Sequence, residues 1–263
     1  MLHLTDKTWT LQYAREETPH PEFFFKHSHQ NYEILYFVCG DAEYNVEGRF
    51  YTLRPHDIVF IPPARFHYLH LQSPAPYERY CFNFEARILP AEDQERLYGL
   101  PTVLSAEGNA QLRDCFTRLL GYAKRMREGD LRLLARSSLR EILINLFYDS
   151  PAAEARRERH NPVIEKVIAL IDEHPERDWN AETLARELFL SRSYLQNLFS
   201  RYMDVGLKNY INTKKILHAQ SMLLSGRRAS EVCEACGFRD YSTFYRLFCR
   251  IIGCSPGSVS KSE

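Results

Sequence analysis

Hydrophobic and polar positions follow different periods in the two halves of the chain. Between Phe23 and Glu85 the apolar residues form short aromatic and β-branched runs that are separated by turn residues. Runs of this kind predict strands, and we expect them at 32–38, 42–46, 50–53, 57–61 and 77–85. Several short strands at regular spacing are typical of a small sandwich or barrel.

Helical spacing replaces this pattern in the rest of the chain. Apolar residues recur three and four positions apart within 112–123 and 139–147, which predicts helices. Residues 149–161 lack apolar periodicity, and Asn161 and Pro162 suit the cap and first turn of a helix. We therefore expect an α+β, two-domain chain. Its parts are a strand-rich domain over 1–148 that ends in helices over 111–148, a linker over 149–161 and an all-α domain over 162–263.

The all-α domain contains an internal repeat. Residues 193–201 (SYLQNLFSR) align without a gap on residues 242–250 (STFYRLFCR), so that serine, the Leu-Phe pair and arginine coincide. Each copy follows a shorter helical segment and has a candidate N-cap just before it, Ser191 or Asp240. A short helix, a tight turn and a second helix predict a helix-turn-helix unit. We expect two such units, joined by one helix over 207–224.

The second helix of each predicted unit has an outward polar face that bears no carboxylate. The outward residues are Arg192, Ser193, Gln196 and Asn197 in the first unit and Tyr241, Ser242, Tyr245 and Arg246 in the second. In the major groove of DNA, Gln and Asn can pair with adenine and Arg with guanine, while Tyr and Ser can contact phosphate. We assign Arg201 and Thr243 to the same interface and expect Lys214 and Lys215 to contact phosphates.

The charge distribution supports a DNA partner for this half of the chain. Lys and Arg total 34 in the whole chain, as do Asp and Glu, so the net charge is zero. Between Trp179 and Ser262, however, twelve Lys and Arg stand against six Asp and Glu. The alternative is a set of ordinary helices with solvated polar faces. Caps, turn, core positions and basic charge occur together here, and the combination favours DNA binding.

Three short elements in the C-terminal domain are highly specific when they occur together. They are Gly237-Phe238, the Phe-x-Arg-x-Phe of 244–248 and the Gly-x-Ser-Pro of 253–256. With them the domain resembles the AraC/XylS family of bacterial transcription regulators. The resemblance implies a sequence-specific regulator that binds double-stranded DNA. It also implies base-facing roles for the outward residues named above except Arg192, that is, for Ser193, Gln196, Asn197, Tyr241, Ser242, Tyr245 and Arg246. The chain departs from the family at Cys233, where alanine is usual, and in its last turn.

A second group of residues in the N-terminal domain has metal-binding chemistry. His27 and His29 at alternate positions of a strand would point the same way, Glu33 shares their parity, and His67 could reach them from a neighbouring strand. Three imidazoles and a carboxylate suit Zn, Mn, Fe or Ni. The pattern resembles the two motifs of the cupin barrel, with His56 where the second motif usually has glycine.

A small organic effector is the alternative occupant of this domain. Mouths of barrels are common ligand sites, and regulators of the AraC/XylS family often keep the cupin outline without a metal. We assign to an effector pocket the residues His27, His29, Glu33, Tyr36, Tyr44, His67 and Tyr80. On this interpretation no cofactor is required, and a divalent metal in the barrel stays an open alternative.

The sequence suggests a two-state regulatory mechanism. An effector in the barrel would change how the N-terminal domain, its helices and the linker place the DNA-binding units, and so change DNA affinity or contact with RNA polymerase. The helices within 112–147 are domain core or a dimer seam, and the resemblance favours a role in a homodimer. The rival hypotheses are a metal-dependent cupin enzyme with a DNA-binding tail and a ligand-independent regulator whose barrel only dimerises.

Other features bear on the compartment. No apolar run is long enough to span a bilayer, and the first residues lack the features of a secretion signal, so we expect no membrane association and a cytoplasmic protein. Seven irregularly spaced cysteines favour reduced thiols. Cys233 and Cys236 form Cys-x-x-Cys on a predicted helix, and we expect both to be core residues.

Overall fold

The computed structural model describes residues 1–20, 26–148 and 158–259. The chain divides into a first unit, Met1–Arg159, and a second unit, His160–Glu263. Most of the predicted linker lies outside the described residues. Its described end is not a linker, because residues Glu158–Arg159 pair with a strand of the first unit. The first unit therefore extends beyond the expected boundary at 148.

The elements of each unit have the following bounds within the described residues. The strands of the first unit are β1 (Leu2–Thr5), β2 (Trp9–Glu16), β3 (Tyr32–Cys39), β4 (Ala42–Val46), β5 (Arg49–Thr52), β6 (Asp57–Ile61), β7 (His67–Leu71), β8 (Tyr77–Phe84), β9 (Val103–Ser105) and β10 (Glu158–Arg159). Its α-helices are α1 (Ala91–Gln94), α2 (Ala110–Ala123) and α3 (Glu128–Tyr148). The second unit comprises α4 (Pro162–Glu173), α5 (Ala181–Glu187), α6 (Arg192–Met203), α7 (Leu207–Leu224), α8 (Ala229–Ala235), α9 (Tyr241–Ile252) and α10 (Pro256–Val259).

The strands of the first unit pair as two antiparallel sheets. Within the described ranges the larger sheet has the order β1-β2-β8-β3-β6-β9 and the smaller sheet the order β10-β5-β4-β7. The sheets pack face to face around Leu35, Val59, Tyr44 and Leu69, which belong to one buried cluster. The strand-rich first domain with helices after it is confirmed, and its described strands form two packed sheets.

The other face of the larger sheet is covered by helices. Phe116 of α2 stacks on Tyr36 of β3 with ring centroids 4.6 Å apart. Leu139 and Leu143 of α3 are buried in the same cluster. The two helices predicted within 112–147 are thus largely domain core, although Leu133 and Ile144 of α3 remain exposed.

The second unit is helical, as the sequence predicts. Asn161 caps α4 by accepting the backbone N–H of Val163 at 2.9 Å, and α7 has the bounds predicted for the connecting helix. Buried aromatic residues anchor both pairs of short helices to α7. Phe199 of α6 packs against Tyr210 with ring centroids 5.1 Å apart, and Phe244 of α9 shares a buried cluster with Ile216. One connecting helix therefore supports both helix-turn-helix units.

Candidate DNA interface and ligand cavity

Helix α6 presents the polar face that the sequence predicts for the first unit. Ser191 caps the helix by accepting the backbone N–H of Tyr194 at 3.2 Å. Leu195, Phe199 and Met203 are buried on the opposite face. The predicted contacts are all exposed, namely Arg192, Ser193, Gln196, Asn197 and Arg201. A groove of about 470 Å³ beside α6 is lined by Gln196 and also by exposed Lys208. Tyr194 and Lys208 are candidate contacts that the sequence did not suggest. Tyr194 follows Ser193 in the chain, and Lys208 lines the groove together with Gln196.

Helix α9 presents the corresponding face of the second unit. Asp240 caps it by accepting the backbone N–H of Thr243 at 2.7 Å. Thr243, which we also assigned to the interface, is half-buried. The predicted contacts Tyr241, Ser242, Tyr245 and Arg246 are exposed. The guanidinium Nε of Arg246 donates to the backbone carbonyl of Ser242 at 3.4 Å, so this side chain lies along its own helix. Arg250, one turn further on, is exposed as well and is a further candidate contact that the sequence did not suggest.

The two helix-turn-helix units use the same turn with different residues. Gly237 follows α8 in the left-handed region, at φ 72°, and Phe189 occupies this place after α5 at φ 55°. In both turns the next N–H reaches back to the helix, from Leu190 to Ala185 at 2.8 Å and from Phe238 to Cys233 at 3.1 Å. A phenylalanine in this conformation is strained, because its Cβ crowds the backbone. The ring gains no compensating burial, since Phe189 is 95% exposed.

Replacing Phe189 by glycine is expected to raise the free energy of unfolding of the second unit by about 0.5–1 kcal/mol. Glycine relieves the left-handed strain, and little packing is lost with the exposed ring. Thermal or urea unfolding monitored by circular dichroism measures the change. Phe189→Ala is the matched control, because it removes the ring but keeps the strain. Equal gains in both variants would show that the ring, and not the backbone, is responsible.

The lysines that we expected to contact phosphate are buried instead. Lys214 is 9% exposed and Lys215 is 7% exposed. The ammonium of Lys214 lies 2.9 Å from Asp172 of α4, and that of Lys215 lies 3.3 Å from Asp178. The prediction of phosphate contacts was wrong, because acidic residues that precede the repeat in sequence bind these ammonium groups.

In the first unit, the predicted histidines and glutamate converge. One ligand atom from each of His27, His29, Glu33 and His67 lies within 4.8 Å of the others. His29 Nε2 is 3.2 Å from Glu33 Oε2, and His67 Nε2 is 3.1 Å from His27 Nε2. The hydroxyl of Tyr44 donates to the other Glu33 oxygen at 3.1 Å. We had expected the first two histidines to lie on a strand, and they do not. They precede β3, and His27 makes an isolated bridge to His67.

The buried carboxylate of this cluster is stabilised in its ionised form. Burial would raise the pKa of Glu33, but hydrogen bonds and charge from His29 and His67 outweigh it and hold the pKa well below the ordinary value. Burial likewise disfavours the charged form of His67, yet the hydrogen bond and charge of Glu33 raise its pKa. Burial and the nearby Glu33 raise the pKa of Tyr44 well above 10. Tyr44 is therefore a neutral donor to this carboxylate at neutral pH.

A cavity of about 320 Å³ lies beside the cluster. It is lined by Gln12, His27, His29, Glu33, Leu35, Tyr44, Tyr68, Leu69, Tyr77, Arg79, Cys81 and Asn83. Three residues that we assigned to an effector pocket do not line it: His67 belongs to the cluster beside the cavity, and Tyr36 and Tyr80 pack against the helices. Successive residues of a strand point to opposite faces, so Tyr36 lies opposite Glu33 and Leu35. Along β8, the residues that alternate into the cavity are Tyr77, Arg79, Cys81 and Asn83, and Tyr80 lies on the other face.

Arg79 is the only arginine in the cavity lining given above. Among the described residues, its buried Nη1 atom has no hydrogen-bond partner. Its guanidinium carbon lies 5.7 Å from the centre of the Tyr77 ring. Burial would lower the pKa of Arg79, but the surrounding tyrosines, Cys81 and Glu33 raise it, so the side chain is cationic. The cavity thus contains a positive charge with hydrogen-bonding capacity to spare.

Known families match both units of the chain. The AraC-like ligand binding domain matches residues 11–147, just over half of the chain, and a helix-turn-helix domain matches residues 184–262. The chain belongs to the AraC family of transcription regulators. As an AraC-type regulator it binds specific DNA through its C-terminal helix-turn-helix domain and is controlled by a small-molecule effector of its N-terminal domain.

Individual relatives extend along most of this AraC-type chain. The HTH-type transcriptional regulator YdiP of Escherichia coli is 22% identical over 247 residues, which cover 89% of this chain and 80% of YdiP. The arabinose operon regulatory protein of Salmonella typhimurium is 24% identical over 241 residues, with coverage of 86% and 82%. The structure of ToxT from Vibrio cholerae is 14% identical, covers 98% of this chain and 100% of ToxT, and has a TM-score of 0.40, which is too low to support an argument.

Two further expectations concern the membrane and the cysteines. In the described ranges, no helix has the length and apolar character needed to cross a bilayer. Cys233 and Cys236 are buried free thiols, which confirms them as core residues of the second unit. Burial raises the pKa of Cys236 to about 11, so this thiol stays protonated.

Proposed function

We propose that the cavity of the first unit is the effector site of this regulator and that its effector is a small anion. The observation that supports this proposal is Arg79. A buried guanidinium nitrogen without an acceptor is costly, and a carboxylate or phosphate can supply two parallel acceptors to one guanidinium. The ligand class therefore follows from the charge and the unused donor.

The size and lining of the cavity support the same proposal. Its volume of about 320 Å³ is at the small end of ordinary ligand sites. Gln12 of β2 and Asn83 of β8 provide amide groups on paired strands, two residues apart in register. Leu35, Leu69 and the tyrosine rings provide apolar surface. A compact organic anion with a few polar substituents fits this combination.

Occupancy of the cavity has a physical route to the rest of the sensor. Tyr44, which lines the cavity, lies on β4 of the smaller sheet and hydrogen-bonds Glu33 of the larger sheet. A ligand that binds one arrangement of the two sheets better than another shifts the population between them. We infer that this shift controls DNA binding or contact with RNA polymerase, and that the protein itself performs no catalysis.

The exposed face of α3 supports the proposal of a homodimer. Leu133 is 67% exposed and Ile144 is 53% exposed, and eleven positions correspond to three helical turns, so both lie on one face. Exposed apolar side chains on one side of a helix offer a place where a second copy can pack. A dimer would present four recognition helices to a longer, repeated DNA site. Free thiols and a DNA partner favour a cytoplasmic location.

Arg79→Gln is expected to abolish stabilisation by anionic ligands. In wild-type protein, a binding anion raises the melting temperature, because it binds only the folded state. We would screen small monocarboxylates, dicarboxylates and inorganic phosphate against the corresponding amides by thermal shift. Arg15→Gln is the matched control, since Arg15 lies on the neighbouring strand and its guanidinium binds Glu17 and Glu78. Equal stabilisation by amides and acids, or retention of the effect in Arg79→Gln, would contradict the assignment of an anion.

A further inference from the structure

Four side chains with metal-binding atoms meet at one point of the sandwich, and three of them line the cavity. The distances between their ligand atoms include 3.1 Å from His27 to His67, 3.2 Å from His29 to Glu33 and 3.7 Å from His67 to Glu33. An ion with ligands at about 2.0–2.2 Å separates adjacent ligand atoms by about 3.0–3.6 Å. These three separations are close to that spacing, and all four ligand atoms lie within 4.8 Å of one another.

The outer hydrogen bonds of the cluster fix which nitrogen of each ring carries the proton. Nδ1 of His29 lies 2.9 Å from the carbonyl oxygen of Asn31, and Nδ1 of His67 lies 2.9 Å from that of Arg65. A carbonyl oxygen only accepts, so both Nδ1 atoms donate and carry hydrogen. Both Nε2 atoms are then turned towards the Glu33 carboxylate, at 3.2 Å from His29 and 3.7 Å from His67. In each ring the nitrogen that faces Glu33 is therefore the one available to an ion placed among the four side chains.

We propose that His27, His29, Glu33 and His67 bind a divalent first-row transition metal ion in the effector cavity. Three nitrogen ligands and one oxygen ligand suit Zn²⁺, Co²⁺, Ni²⁺, Fe²⁺ or Mn²⁺. The backbone carbonyls behind His29 and His67, and the hydroxyl of Tyr44 behind Glu33, orient the ligands as outer partners do in metal sites. The alternative is a cluster held together by protonated imidazoles, which would be a structural hydrogen-bond network.

Access to the cluster is compatible with ion exchange from solvent. The side chain of His29 is 24% exposed and His27 is exposed, whereas Glu33 and His67 are buried at 5% and 0%. An ion can therefore enter past His27 and His29 and contact the buried pair behind them. This site goes beyond the anion proposal, which rests on Arg79, and it does not depend on the identity of the effector.

The test is titration of the full-length protein, first treated with a chelator and dialysed, with Co²⁺ and then Zn²⁺. We expect a visible Co²⁺ absorption band that saturates at about one equivalent per chain and that Zn²⁺ abolishes by competition. His29→Gln and Glu33→Gln should each weaken Co²⁺ binding by more than about tenfold. His70→Gln, which removes an exposed histidine of the same strand as His67, is the matched control and should bind like wild type.

Two outcomes would overturn the metal site. The first is a wild-type protein that retains no Co²⁺ or Zn²⁺ after dialysis at micromolar ion concentrations. The second is binding that His29→Gln and Glu33→Gln leave unchanged although both variants keep the far-ultraviolet circular dichroism of wild type. Failure of the anion proposal would not affect this result, because neither DNA nor an organic ligand is present in the metal titration.

Discussion

Replacing Asp172 by alanine is expected to lower the free energy of unfolding of the second unit by about 2–3 kcal/mol. The substitution removes the carboxylate that lies 2.9 Å from the ammonium of Lys214, which is 9% exposed. Removing one partner from a fully buried pair costs about 3–5 kcal/mol. The Asp172 side chain is 29% exposed, and solvent there reduces the loss. Urea unfolding of wild type and variant, followed by circular dichroism, measures the difference.

Lys214→Met is the informative comparison for this ion pair. Methionine keeps the buried apolar stem of the side chain and leaves only the partly exposed carboxylate of Asp172 without its ammonium, so the expected loss is smaller. The dependence of DNA binding on salt should not change in Lys214→Met, because the ammonium is turned towards α4. A phosphate contact would instead reduce the salt slope by about one. Such a reduction would show that Lys214 contacts a DNA phosphate.

Gln196→Ala is expected to weaken binding to the preferred DNA sequence by about 10–100-fold while binding to random DNA changes little. Gln196 is exposed in the middle of α6, where a bidentate contact to adenine is worth about 1–3 kcal/mol of discrimination. The measurement is titration of DNA from upstream of the gene and its neighbours, against random DNA, at one fixed salt concentration. A loss of this kind changes the specificity ratio and not merely the affinity.

The control for this experiment is another exposed glutamine on a helix. Gln111 of α2 lies in the first unit and is exposed, so Gln111→Ala should leave both affinities unchanged. Arg246→Ala in α9 should behave like Gln196→Ala, with a preference lost at a guanine instead of an adenine. If Gln196→Ala weakens specific and random binding equally, its side chain contacts the backbone of DNA and the base-facing role is wrong.

The elements that the sequence predicted well have a strong local pattern. The connecting helix Leu207–Leu224 and the strands Ala42–Val46 and Asp57–Ile61 have the bounds that periodicity assigns to them. The missed strand Trp9–Glu16 does alternate, with Trp9 and Leu11 buried, and could have been found. The strand Glu158–Arg159 could not, because two charged residues have no period and only the pairing with β5 defines them.

The candidate sites show the same division between local and distant causes. The three histidines and Glu33 converge as the sequence suggested, but for a different reason: His27 and His29 precede β3, and the bridge from His27 to His67 brings them to the site. The error at Tyr36 and Tyr80 was one of strand parity, and strict alternation would have selected Leu35 and Arg79 instead. The burial of Lys214 depends on a carboxylate 42 positions earlier in the chain, and no local pattern indicates such a partner.

Strand β10 fixes the point from which the second unit is tethered. Its backbone pairs with β5, and the guanidinium of Arg159 lies 2.8 Å from Glu43 and 4.6 Å from the centre of the Phe50 ring. While β10 is paired, only His160 and Asn161 lie between it and the first residue of α4. The length of a tether sets the effective concentration at which a second DNA-binding domain finds its site once the first is bound. For the proposed dimer, the pairing of this two-residue strand at the edge of the sensor's smaller sheet would set the avidity for paired sites, with no change in any contact to DNA.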